Sequence, residues 1–112
     1  MTEPTRFAIF FLLEATDGWL RLTREERREI SVKHVGQSLA VYPSLKLRHF
    51  DAEAFTTDCS DVMLIETGSL TDYYDFIERL RDSPIVTVPY FRFIKIIVAI
   101  EDGFRDYEER TA

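Results

Sequence analysis

The chain has 112 residues, 46% of them hydrophobic and 30% charged, which is the size and composition of one soluble domain, residues 1–112, with a single core. Acidic residues outnumber basic ones by 20 to 14, the net charge is −6, and the two signs are interleaved, so we expect neither nucleic acid nor a membrane as a partner. The single cysteine, Cys59, cannot form an internal disulfide, which favours a reducing, cytoplasmic location.

The first half of the chain predicts a strand, a helix and a second strand. Residues 6–13 are a continuous apolar run of strand length, too short to span a bilayer and followed by an acidic residue rather than a signal-peptide cleavage site. Thr23 and Glu26 have the spacing of a capping box, so a helix should begin there and extend to about Ala40. Its apolar residues fall on two different stripes, so the sequence does not decide which face of the helix is buried. Residues 45–50 largely alternate in polarity, as in a strand.

The second half predicts a strand, a helix and a last strand. Residues 60–67 form the third strand, and Ser69 is a candidate N-cap for the helix that follows. That helix has a regular apolar face of Leu70, Tyr73, Tyr74, Ile77 and Leu80. Residues 90–100 form the fourth strand, and residues 102–112 are a polar tail that we expect to fray.

The order of these elements is β-α-β-β-α-β, which is the ferredoxin-like pattern of the α+β class. It predicts a four-stranded antiparallel sheet with both helices on one face. A ligand cleft in such a fold would lie between the helices and the sheet.

The first and last strands, the two longest, are apolar on both faces, and this predicts an oligomer. In the last strand Ile94, Ile96, Val98 and Ile100 alternate with Phe91, Phe93, Ile97 and Ala99. Two helices can cover only one face, so we expect a second copy of the sheet to cover the other, giving a homodimer of the dimeric α/β-barrel type, with Lys95 at the interface. The alternative is that the tail or a connector folds over the open face.

Several spaced motifs resemble those of one known family. "LTREERREI", the "YP" after the first helix, "FDAEAF…CSDV…ET" and the closing "YF…I…IEDGF" are similar to the darcynin family along most of the chain. The resemblance implies a dimeric ferredoxin-like barrel and supplies no activity or catalytic residues. More loosely, "ETGSLTDYYDFIERLRDSPIVTVPYF" resembles a segment of muconolactone isomerases. That superfamily also contains cofactor-free monooxygenases and haem-degrading enzymes, and the likeness implies a cleft ligand without assigning residues.

Five residues are candidates for a site in that cleft. His34 is the candidate catalytic acid or base, because it shares a helix stripe with Ile30 and a histidine exchanges protons near neutral pH. The candidate ligand-binding residues are Trp19, His49, Glu66 and Tyr73. His34 could instead lie at the surface, and Trp19 and Tyr73 could fill the core.

Residues 48–62, "RHFDAEAFTTDCSDV", combine a histidine, acidic residues and Cys59. A metal site here would take its ligands from His49, Asp51, Glu53, Asp58, Cys59 and Asp61. The HxDxE spacing of the first three matches no specific metal signature, so we predict a structured acidic connector and no metal site. Neighbouring carboxylates make Cys59 a poor nucleophile. The sequence has no glycine-rich phosphate loop, CxxC pair, GxSxG or HExxH, and we predict no cofactor.

These patterns predict a homodimeric domain that binds a small apolar or aromatic molecule, and that acts as a cofactor-independent isomerase or monooxygenase. The alternative is a non-catalytic dimeric binding or accessory protein. The two differ in the cleft: an open cleft with convergent polar groups favours the first, and one filled by Trp19 and the tyrosines favours the second.

Overall fold

A computed structural model describes residues 5–112 and contains the predicted order of strands and helices. The strands are β1 (Phe7–Ala15), β2 (Lys46–Asp51), β3 (Asp61–Thr67) and β4 (Phe91–Ile100). The helices are α1 (Asp17–Leu20), α2 (Arg24–Ile30), α3 (Gln37–Val41), α4 (Leu70–Arg81), α5 (Pro84–Thr87) and α6 (Gly103–Thr111), and the π-helical segment π1 (Ser31–Gly36) joins α2 to α3. The predicted α+β, ferredoxin-like class is confirmed.

The sheet has the order β2-β3-β1-β4, and every neighbouring pair is antiparallel. Residues paired across an antiparallel sheet point to the same face. Ile9 and Phe11 of β1 and Ile65 of β3 are fully buried on one face, where Phe76 and Leu80 of α4 pack against them. This face holds the core.

Side-chain caps fix the helix starts. Thr23 Oγ1 accepts from the Glu26 amide at 3.1 Å, and Glu26 Oε1 accepts from the Thr23 amide at 2.9 Å, so the predicted capping box before α2 is confirmed. Ser69 caps α4 as predicted, accepting from the Asp72 amide at 3.1 Å. Both caps satisfy amides that the first helical turn leaves without partners.

The π1 segment settles which stripe of the first helix is buried. In it the Gln37 amide donates to the carbonyl of Val32, five residues earlier, instead of the four of an α-helix. Val35 and Leu39 pack against the core cluster, and Ser38 is buried. The sequence pattern was ambiguous because this wider turn changes the helical period partway along.

A β-bulge changes the predicted faces of β4. Leu12 pairs with Lys95 and Leu13 pairs with Phe93, so Ile94 has no partner on β1. Because of this extra residue, Phe93 lies on the same face as Ile96, the core face. The prediction that Phe91 and Phe93 oppose Ile96, Val98 and Ile100 was therefore wrong.

Two further features depart from the sequence-based expectation. The residues expected to form a frayed tail form helix α6 from Gly103 to Thr111. The helices also fail to cover β4 on the core face, where Ile96, Val98 and Ile100 are half-exposed. Among residues 5–112, no helix is long and apolar enough to cross a membrane.

Candidate functional site

A cavity of about 500 Å³ lies between π1 and the end of the sheet where β1 finishes and β4 begins. Its apolar wall consists of Leu13, Trp19, Val32, Val35, Leu47, Met63, Leu80, Ile85, Phe91 and Phe93, and its polar groups are Ser31, His49, Asp51 and Asp61. This volume lies in the range of small-molecule sites, which are usually apolar with a few placed polar groups.

Trp19 forms the aromatic side of the cavity, and its indole contacts two aromatic rings and one guanidinium group. Its ring centroid lies 4.8 Å from that of Phe91 and 5.8 Å from that of Tyr90. The Arg27 guanidinium lies 5.9 Å from the indole centroid and donates to the carbonyls of Trp19 at 3.2 Å and Leu20 at 2.9 Å. The indole is thus fixed as part of the wall.

The opposite, polar end of the cavity is built by the register of β2 and β3. Asp51 pairs with Asp61 and His49 pairs with Met63, so these side chains point to the core face. His49 Nε2 lies 2.7 Å from Asp61 Oδ1, and Ser60 Oγ donates to Asp61 Oδ2 at 2.6 Å. Both oxygens of this nearly buried carboxylate are therefore hydrogen-bonded.

The contact with Asp61 determines which nitrogen of a neutral His49 ring is left as an acceptor. A neutral imidazole has one N–H and one acceptor nitrogen. With Nε2–H donated to Asp61, the acceptor nitrogen of the neutral ring is Nδ1, and a proton taken there forms an imidazolium beside the Asp61 carboxylate. The His49–Asp61 pair is therefore a candidate general base in the wall of an apolar cavity.

Asp51 completes a cluster of three ligand-type side chains. Its Oδ1 lies 4.0 Å from His49 Nε2, and one ligand atom from each of His49, Asp51 and Asp61 lies within 4.8 Å of the others. Exposure rises from Asp61 (11%) through His49 (48%) to Asp51 (77%), so the cluster extends from the cavity interior to its mouth. The expectation that the chain holds no metal stays a prediction.

The structure brings together two of the five predicted site residues, Trp19 and His49. His34 lies in a separate depression beside Arg79 and Ser38, outside the cavity wall. Glu66 pairs with Arg48 at 2.7 Å on the other face of the sheet. Tyr73 packs in the core with its ring 5.9 Å from Phe11, and burial raises the pKa of its phenol. Site roles for these three remain untested predictions.

Sequence reasoning missed Asp61, Phe91 and Phe93 as cavity residues. Asp61 belonged to the acidic stretch noted in the sequence, but its partner could be found only from the register of β2 against β3. Phe91 and Phe93 reach the cavity because of the β4 bulge. The sequence signal that could have found Asp61 is a polar residue at the end of an otherwise apolar strand.

Sequence comparisons give one consistent result. The darcynin family, described as a domain of unknown function, matches residues 1–112. Darcynin 1 of Acinetobacter baumannii is 49% identical over 89 residues, which cover 80% of this chain and 99% of that protein. Darcynin of Chromobacterium violaceum is 55% identical over 73 residues, covering 65% of this chain and 92% of that protein.

Solved structures with the same fold are much more distant in sequence. A mutant chlorite dismutase from Candidatus Nitrospira defluvii superposes with a TM-score of 0.77 at 16% identity, covering 98% of this chain and 46% of its own. A heme-binding protein from Thermus thermophilus superposes with a TM-score of 0.77 at 15% identity, covering 95% and 45%. The chain spans less than half the length of these proteins, and the likeness shows the fold alone.

Proposed function

This chain belongs to the darcynin family, whose function is unknown, and we propose that it is a homodimeric domain that binds a small apolar or aromatic molecule in the cavity between its helices and sheet. We further propose that it acts on that molecule as a cofactor-independent isomerase or monooxygenase. The observation that carries the proposal is the His49–Asp61 pair at 2.7 Å, located in the wall of an open apolar cavity.

The cavity favours a ligand-binding role over an accessory one. Trp19 and Tyr73 do not fill the cleft: Trp19 lines a space of about 500 Å³, and Tyr73 packs elsewhere. At least two polar groups, His49 and Asp61, converge on that space. An unfilled cleft with convergent polar groups is the arrangement expected of a binding or catalytic site.

The proposed chemistry starts with one proton transfer. His49 Nδ1 accepts a proton from a carbon or hydroxyl group of the ligand, and Asp61 stabilises the resulting imidazolium. Return of the proton at another carbon completes an isomerisation with no net change in composition. In the monooxygenase alternative, the deprotonated ligand reacts with dioxygen as the co-reactant: a CH2 group of the ligand becomes C=O, the second oxygen atom leaves as water, and the ligand itself supplies all the electrons.

Haem, which the Thermus thermophilus protein is described as binding, does not fit this cavity. A haem needs an axial ligand and partners for its two propionate groups. Because Nε2 of His49 is engaged by Asp61, Nδ1 is the nitrogen left to bind iron, but the charged groups lining the cavity in the described chain are the carboxylates of Asp51 and Asp61, which offer propionates no cationic partner. These would repel propionates, so the proposal includes no haem step.

The homodimer and the cytoplasmic location are part of the same proposal. Phe10 on β1 pairs with Leu64 of β3 and with Ile97 of β4, forming an apolar centre on the sheet face that the helices leave open. A second copy of that face would cover it most simply. The single cysteine remains the argument for a reducing compartment.

Trp19 provides a direct test, because it is the chain's only tryptophan and lies in the cavity wall. We expect 2-phenylethanol, a neutral aromatic probe, to change Trp19 fluorescence saturably. Val35→Phe places a larger side chain in the cavity wall and should weaken binding by at least about tenfold, since it fills space that the probe occupies.

Val41→Phe is the matched control, because Val41 is half-exposed at the end of α3 and does not line the cavity. Thermal unfolding of each variant establishes that it is folded. Equal affinities of the Val35→Phe and Val41→Phe proteins, or a fluorescence response that never saturates, would contradict binding in this cavity.

A further inference from the structure

We propose that the natural ligand of this cavity is a small aromatic amine, bound as its ammonium ion with the nitrogen at the His49–Asp51–Asp61 cluster and the ring against Trp19. The inference rests on the proposed binding function and specifies the chemical class of the ligand. It takes its support from the charge and exposure of the cavity residues.

The charged groups of the cavity have one sign. Asp51 and Asp61 supply two carboxylates, and His49 supplies an imidazole, so the cluster stays anionic whether or not the ring is protonated. Among the described residues no lysine or arginine lines the cavity. Arg27, which contacts the Trp19 ring in the cavity wall, is engaged by two backbone carbonyls.

The hydrogen-bonding capacity of the cluster also matches a cation. An ammonium group has three donors and no acceptor, whereas a carboxylate has only acceptors. Asp51 makes one long contact with His49, at 4.0 Å, which leaves acceptor capacity at the mouth of the cavity. A ligand carboxylate placed there would face two aspartates and no cation. The cluster therefore favours amines and disfavours acids.

The solvent exposure of the three cluster residues indicates how the ligand is oriented in the cavity. Asp61 is nearly buried, His49 is half-exposed and Asp51 is exposed, so the charged end would stay close to water, which lowers its desolvation cost. The partly buried aromatic wall of Trp19, Phe91 and Phe93 lines the same cavity and receives the ring. A ring joined to an amine by a short chain would span both regions.

The test compares three probes with the same ring and different charges: 2-phenylethylamine, 2-phenylethanol and phenylacetate. Each is titrated at neutral pH against Trp19 fluorescence, with EDTA present so that trace metal does not occupy the carboxylates. We expect the amine to bind at least about tenfold more tightly than the alcohol, and phenylacetate to bind most weakly.

Two variants locate the effect. Asp51→Asn removes an exposed carboxylate at the cavity mouth and keeps the shape of the side chain; it should lower the amine-to-alcohol ratio at least about threefold, because the remaining Asp61 carboxylate is already hydrogen-bonded at both oxygens. Glu108→Gln is the matched control, because it removes a carboxylate from α6, at the other end of the sheet. It should leave the ratio unchanged.

The outcomes separate this inference from the proposed function. If the alcohol binds as tightly as the amine, or phenylacetate binds more tightly, the amine inference is overturned and cavity binding stands. A ratio that Asp51→Asn and Glu108→Gln change equally also overturns it, because the preference would then come from net charge. If none of the three probes produces a saturable change, the proposed function itself fails, and the ligand class with it.

Discussion

Asp61 is the residue on which the polar end of the cavity depends. A nearly buried carboxylate is costly unless its oxygens are hydrogen-bonded. Here Oδ1 accepts from His49 and Oδ2 from Ser60, whose hydroxyl in turn accepts from the Ala15 amide at 2.7 Å. The chain of contacts ties β1, β2 and β3 together at one point. The imidazole that we propose as a base is thereby held at a fixed position on an otherwise half-exposed strand.

At the same scale, Tyr73 makes the stability of the fold depend on pH. Burial raises the pKa of its phenol, so the folded chain keeps this proton to a higher pH than the unfolded chain does. Its stabilising contribution is complete below the unfolded pKa, about 10, and is lost as the pH rises through the folded value. We expect the free energy of unfolding, measured with urea from pH 9 to pH 11, to fall less steeply for Tyr73→Phe than for the unmodified chain.

Tyr74→Phe is the control for that measurement. The pKa of Tyr74 is also raised, first by its hydrogen bond with Glu78, but its side chain is exposed and the interaction is screened by solvent. The change in slope should therefore be smaller than for Tyr73→Phe. Equal slopes for the Tyr73→Phe variant and the unmodified chain would show that burial of this phenol has no influence on alkaline unfolding.

Among the elements, β4 has the feature that shapes the cavity most directly, its bulge at Ile94. The bulge keeps Phe93 on the core face, opposite Leu13 and packed against Phe11. Phe93→Ala should therefore lower the free energy of unfolding by about 3 kcal/mol, the lower end of the usual cost of truncating a packed phenylalanine, because Phe93 is only partly buried. Chemical denaturation measures the loss.

Ile94→Ala is the matched variant, because it removes the side chain of a half-exposed residue and keeps the strand length. It should cost much less than Phe93→Ala, because the residue left unpaired by the bulge is not part of the core. If Ile94→Ala and Phe93→Ala destabilise the chain equally, Phe93 is not packed on the core face and the assigned bulge is wrong.

The same elements explain how much the sequence could predict. Thr23 and Glu26 are three residues apart, and their capping box is a local interaction that depends on few other contacts. The β4 bulge and π1 are different, because each is an irregularity that tertiary packing selects over the regular period. The alternation that places His49 on one face of its strand was visible in the sequence. Its contact with Asp61 depends on the register of β2 against β3, which the sequence of the connector between them does not reveal. Fold class was therefore predictable, and the composition of the site largely was not.

At the scale of the whole molecule, the sheet face that the helices leave uncovered is the proposed dimer interface. Phe10 lies at the centre of that face and is 37% exposed, whereas Phe55 is 89% exposed in the connector. Phe10→Glu should place a charge at the interface and convert the dimer to a monomer, because an unpaired buried charge costs more than the apolar contacts provide. Native mass spectrometry and sedimentation measure the assembly.

Phe55→Glu introduces the same charge away from the sheet and should leave the dimer intact. The half-exposed core-face residues of β4 provide a second comparison through Ile96→Glu. A dimer that resists Phe10→Glu and dissociates with Ile96→Glu would mean that the copies meet along β4 instead. A purified chain that is monomeric from the start would contradict both arrangements.

The widened turn of π1 has a consequence for how the first helix can change. Successive residues of an α-helix are rotated by about 100°, so removing one residue from α2 or α3 would turn the two halves of the helix by that angle. Removing one residue from π1 would instead let its wide turn close to a regular α-helix and keep the orientation of both halves. The later half anchors Leu39 in the core, and the earlier half holds Arg27 against Trp19. Because Val32 and Val35 of π1 line the cavity, the length of this segment can change the shape of the cavity wall while the Arg27–Trp19 contact on one side and the Leu39 anchor on the other stay in place.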